Sequence, residues 1–188
     1  MVSIAVPGSV SALQAALAAE DAAIFGYGVA GAHLAGSRWG AAEQDWTGHN
    51  QARDTLAGMI SRLGAVPVTA KAFYQLPFPV HDATSAMALA AYLEEGVTRA
   101  YLGLVAVSDQ RLRIFGALAM QGSARRAAFW RGSTQAFPGL AASALLHSRP
   151  TGQPSLERGS GSWVGFGRGA GEWSWALVAA PYVPELSL

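Results

Sequence analysis

AVPVTAKAFYQLPFPVHD, residues 65–82, is the stretch on which the fold turns. Pro67, Pro77 and Pro79 keep it out of any helix, and its 18 residues are many more than a simple turn needs. Long helical patterns lie on both sides. Two precede it, from about Ala12 to Ala35 and from about Gly40 to Leu63, with Gly64 as a stop. Two follow it, from just after Asp82 to about Val107, and from Ser108 or Asp109 to near Arg131, before Gly132. The first pair is joined by about four residues and the second by one or two, so each pair must be an antiparallel hairpin. A helix of about 24 residues is about 36 Å long, and 18 extended residues reach about 60 Å. Residues 65–82 can therefore run the length of the molecule from one hairpin to the next.

A four-helix bundle with one long crossover between its second and third helices has the ferritin-like, all-α topology rather than the simple up-down-up-down one. Residues 10–140 hold this bundle. Ser11 is the expected N-cap of the first helix, with Gln14 as its capping-box partner. Beyond Gly139 the helical period disappears. Residues 148–188 form a tail rich in Gly and Ser that carries Trp163, Trp173 and Trp175 and reads as disordered.

Composition sets outer limits. A chain of 188 residues with 51% hydrophobic and 13% charged residues has ample material for a core. A net charge of +1 with scattered arginines implies neither a nucleic-acid surface nor a polybasic membrane anchor. With no cysteine, thiolate catalysis, iron–sulfur clusters and cysteine zinc sites are excluded. The N-terminus has no basic leader region and no uncharged apolar run spans a membrane, so a cytoplasmic location is expected.

One ionisable group stands out against this background. Leu13, Leu17, Glu20, Ile24, Tyr27, Gly31 and Leu34 share one helical face, and Glu20 sits where a leucine is expected. A buried carboxylate costs several kcal/mol unless it is paired, protonated or metal-bound. Inward seams on the next two helices add His49, Arg53 and Glu94. Counted at about 1.5 Å per residue, these four residues fall in the same middle third of the bundle. A di-metal bundle needs two single glutamates and two Glu-x-x-His pairs. Glu20 and Glu94 supply the former, but the second helix has Trp46-Thr-Gly-His49 and the fourth offers neither Glu nor His. A buried ion-pair network is therefore expected, with Arg53 neutralising Glu20 or Glu94 and His49 bonded to the other. The rival is an iron or manganese site using Glu20, His49 and Glu94. Gly26-Tyr-Gly28-Val-Ala-Gly31 fits a dinucleotide fingerprint, but it lies inside a running helix, where glycines serve close helix approach instead.

The stretch LQAALAAEDAAIFGYGVAGAHL, the second-helix HNQARD, the crossover YQLPFPV, the third-helix LEEG and the closing AFWRG and FPGL together resemble a ferritin-like family of uncharacterised actinobacterial proteins, over about residues 10–140. The resemblance implies the bundle fold and draws interest to Glu20, His49, Arg53, Asp54 and Glu94, without a role for any of them. The resulting expectation is a non-catalytic scaffold or interaction module with a degenerate metal site and no cofactor. It contacts neither nucleic acid nor membrane, and is compatible with a homo-oligomer.

Overall fold

The computed structural model describes residues 7–135, and the tail expected over 148–188 lies outside them. Four helices make up this region: α1 (Pro7–Gly31), α2 (Gly36–Arg62), α3 (Ala83–Val105) and α4 (Gln110–Arg131). No strand occurs among the described residues. None of the helices is long and apolar enough to cross a membrane.

Local chemistry explains most of the boundaries. Asp82 caps α3 by accepting from the Ser85 backbone N–H, and Ser85 Oγ in turn accepts from the Asp82 N–H. Asp109 caps α4 by accepting from the N–H groups of Arg111 and Leu112. Gly132 closes α4 at φ 75° and Gly64 follows α2 at φ 77°, both in the left-handed region that favours glycine. The capping box expected at Ser11 and Gln14 is corrected, because α1 has already begun at Pro7. Gln14 instead ties down the crossover: its amide N–H donates to the Val66 carbonyl at 2.7 Å and its Oε1 accepts from the Val68 N–H at 2.8 Å.

Contacts along the helices establish their directions. Tyr27 and Glu20 of α1 meet Asp45 and His49 of α2, so that pair is antiparallel. Tyr27 meets Glu94 while Glu20 meets Tyr101, so α1 and α3 are antiparallel too. Arg126 reaches Glu94 while Gly116 lies beside Leu104, which makes α3 and α4 antiparallel. It follows that α2 and α3 run parallel, and the chain between them must return along the bundle. It does so past α1, where Phe25 packs on Phe73 and Tyr74, and then past α3, where Phe78 packs on Tyr92.

The core is built mainly on α1 and α3. Leu13, Leu17, Leu89 and Leu104 are buried there, and Leu56 and Ile60 of α2 and Trp130 of α4 close over them. Helix α1 packs on α2 and α3, and α3 also packs on α4, whereas α2 and α4 hardly meet. Between these two outer helices lies an open cleft of about 560 Å³, lined in part by Gly40, Gly48 and Gln51, with Asp45 and Arg126 at its inner side. The Gly26 side of α1 comes so near α3 that a Cβ there would stand 2.5 Å from Leu93 Cδ1, consistent with close approach. Gly28 and Gly31 face open space instead.

Candidate functional site

At mid-height the apolar core gives way to a chain of polar side chains. His49 is its centre. On α2 the buried positions Ala42, His49, Leu56 and Ile60 recur at spacings of seven and four, so His49 is carried inward on the same stripe as the aliphatic residues. Its Nδ1 lies 2.5 Å from Glu20 Oε2, and its Nε2 lies 3.0 Å from Glu94 Oε1. Both ring nitrogens therefore face carboxyl oxygens, and with both carboxyls ionised each bond takes its proton from nitrogen, so that the ring is an imidazolium. Burial pushes the His49 pKa down, but the bonds to Glu20 and Glu94 more than offset it and raise the value to about 9.

Each glutamate has a tyrosine as well. The Tyr101 hydroxyl donates to Glu20 Oε1 at 2.6 Å, and the Tyr27 hydroxyl donates to Glu94 Oε1 at 2.7 Å. Burial, and then the neighbouring carboxylate charge, push both phenols above their ordinary range, so they stay protonated as donors. The pattern is repeated in the sequence. Glu20 and Tyr27 stand seven residues apart on α1, Glu94 and Tyr101 seven apart on α3, and 74 residues separate both the glutamates and the tyrosines. The same 74-residue offset carries His49 onto Ser123, which is buried on α4. Two antiparallel Glu–Tyr helices thus exchange hydrogen bonds across an approximate two-fold axis, and His49 occupies one of two equivalent positions.

Arg126 serves the other side. Its Nε donates to Glu94 Oε1 at 2.7 Å and its Nη2 to Ser123 Oγ at 3.1 Å. The Glu94 charge outweighs the effect of burial and raises the Arg126 pKa. Burial also works to raise the Glu94 pKa, but His49 and Arg126 together hold that carboxyl below its usual range. Two carboxylates, Glu20 and Glu94, are balanced by two cations, His49 and Arg126. Asp45 lies at the margin. Its Oδ2 accepts from Trp130 Nε1 at 2.9 Å and from the Tyr27 hydroxyl at 3.2 Å, and burial raises its pKa despite the nearby Arg126. Glu94 Oε2 is buried without a hydrogen-bond partner, since all three donors converge on Oε1.

Of the four residues expected to meet, Glu20, His49 and Glu94 do so. The expectation that Arg53 neutralises Glu20 or Glu94 is corrected. Arg53 is 36% exposed and pairs with the adjacent Asp54 at 2.9 Å. Its charge acts on Asp21, whose pKa is raised mainly by burial and held back by Arg53. On a helix Arg53 sits about 40° off the His49 direction, far enough for a long side chain to leave the core. Asp54, singled out with Arg53, is exposed. Gln121 and Arg125 of α4 are exposed too, and the polar residues of that helix that reach the cluster are Ser123 and Arg126. Sequence reasoning missed Arg126, Asp45 and the roles of the two tyrosines, although the repeated Glu-x6-Tyr spacing was a usable signal.

A metal ion needs donor atoms that converge on one point. Here the two nitrogens of His49 point to different carboxylates at hydrogen-bonding distance, which leaves no room for a cation within either pair. Among the described residues, no group of three or more His, Asp and Glu side chains is arranged to hold a metal ion. The residues present do not fit an iron or manganese centre in this arrangement.

No curated protein matches the chain. A solved structure, that of the conserved hypothetical protein rv2844 from Mycobacterium tuberculosis, is similar at 31% identity and a TM-score of 0.65. The similarity covers 66% of this chain and 96% of that one. Residues 12–142, which contain every member of the polar cluster, match the model of a family described as a domain of unknown function (DUF4439), and the chain belongs to that family.

Proposed function

We propose that this protein is a ferritin-like bundle of actinobacterial type that works as a non-catalytic scaffold or interaction module, with a charge-balanced hydrogen-bond network where a metal centre would otherwise sit. The observation that carries this reading is His49, whose Nδ1 and Nε2 bridge Glu20 and Glu94 at 2.5 and 3.0 Å. An imidazolium in that place supplies the positive charge that metals would bring, and Arg126 supplies the rest. Parallel α2 and α3 joined by a long crossover support the ferritin-like assignment.

A buried ionic network is weak as a source of stability but can specify register. In this bundle it joins all four helices at one level: Glu20 on α1, His49 on α2, Glu94 on α3 and Arg126 on α4. A rotation or slip of any helix would strand a buried charge. The rival reading, iron or manganese held by Glu20, His49 and Glu94, draws on one observation, the unpartnered Glu94 Oε2. Metal analysis of the purified protein, with thermal melts in the presence and absence of chelator, separates the two readings. The scaffold reading predicts substoichiometric metal and a chelator-insensitive melt. Stoichiometric iron or manganese with a chelator-sensitive melt would overturn it.

A further inference from the structure

A groove of about 320 Å³ opens between α1 and α2, with Tyr27 of the polar cluster in its lining. Trp39, Glu43 and Trp46 line it, at positions i, i+4 and i+7 of α2 and so on one helical face. Both indoles are large surfaces left 49% and 42% exposed. The opposite wall is α1, where Gly28 and Gly31 present no side chain and a Cβ at either would meet nothing within 4 Å. These glycines are therefore not required by helix packing, and Gly28, inside α1, costs about 1 kcal/mol relative to alanine. Glu43 makes no ion pair among the described residues. The groove thus combines two indoles on its α2 wall with an exposed carboxylate that has no cationic partner among the described residues.

We infer that this groove binds a small methylated ammonium ion from solution, held by the Trp39 and Trp46 indoles and neutralised by Glu43. The electron-rich faces of tryptophan attract a cation whose charge is spread over methyl groups, and such an ion gives up its hydration readily. A neutral apolar ligand would satisfy the indoles but leave Glu43 unpaired. A compact, strongly hydrated ammonium would suit Glu43 but gain little from the indoles. The volume lies at the small end of the range typical of ligand sites, which favours one small cation over an extended molecule.

The test is calorimetric titration of the full-length protein with choline and with its uncharged isostere 3,3-dimethylbutan-1-ol. Saturable choline binding in the millimolar range or tighter is expected, with the isostere about tenfold weaker or worse. Trp46→Leu and Glu43→Gln should each weaken choline binding on the order of tenfold, and Trp46→Tyr should retain part of the affinity. All three are surface changes whose melts should stay near that of the parent. Absence of saturable choline binding, equal affinity for the isostere, or unchanged affinity in both the Trp46→Leu and Glu43→Gln variants would overturn the inference. So would sedimentation with phosphatidylcholine vesicles in the absence of free choline binding, which would point to a lipid headgroup instead.

Discussion

Replacing Glu20 by alanine removes the acceptor of two buried donors at once, His49 Nδ1 at 2.5 Å and the Tyr101 hydroxyl at 2.6 Å. His49 is 1% exposed, so its charge cannot turn to solvent, and the cavity left by Glu20 is closed off as well. Breaking one side of a buried pair costs about 3–5 kcal/mol, and loss of the tyrosine acceptor lies within that range. For a domain of this size the melting temperature should fall by about 10–20 °C. Urea denaturation followed by circular dichroism measures the loss, and a double-mutant cycle identifies its source. Glu20→Ala combined with His49→Leu should be about 1.5 kcal/mol or more less destabilising than the sum of the two, because the second change removes the stranded charge. Glu20→Ala combined with Arg53→Met should be additive, since Arg53 pairs with Asp54. Strict additivity with His49, or strong coupling to Arg53, would refute the assignment of partners.

Three further outcomes follow from the same geometry. The folded His49 pKa, raised from 6.5 to about 9, contributes stability that is complete below about pH 6.5 and is lost as pH rises to about 9, a change of about 3 kcal/mol; urea midpoints at pH 6, 7.5 and 9 should decline in that order. Arg126→Met leaves Glu94 with less positive charge and should cost about 2–4 kcal/mol, while Arg53→Met should cost about 0.5 kcal/mol or less, and equal losses in denaturant melts would contradict this ranking. Gly116→Ala places a Cβ 2.7 Å from Leu104 Cβ, an atom fixed to its own backbone, and should destabilise by about 1–3 kcal/mol despite the helix preference of alanine; a stabilised variant would show that α3 and α4 are less tightly apposed.

The helices were legible in the sequence because their ends carry their own chemistry. Asp82, Asp109, Gly64 and Gly132 stand where caps and stops are needed, and each does that work in the structure. Ser11 and Gln14 misled because a capping signature says nothing about a helix that has begun a turn earlier at Pro7, and because Gln14 is as useful to the crossover as to a cap. In the candidate site, Glu20, His49 and Glu94 were legible because each stands on an apolar stripe with a side chain too short to carry its polar end clear of the core as an arginine can. The arginines were not. A guanidinium on a long stem can reach the core from a half-exposed position, as Arg126 does, or leave it from a nearly inward one, as Arg53 does, and helical phase alone cannot distinguish the two. Asp45 was hidden for a related reason: its partners Trp130 and Arg126 lie on α4, and nothing in the pattern of α2 itself points to them.

The central claim is that His49 is a doubly protonated bridge between Glu20 and Glu94. Nitrogen-15 NMR of the histidine ring, assigned with a His49→Gln variant, tests it directly. Both ring nitrogens should give protonated resonances at pH 7 and persist until the pH approaches about 9. A single neutral tautomer at pH 7, with one nitrogen unprotonated, would contradict the account.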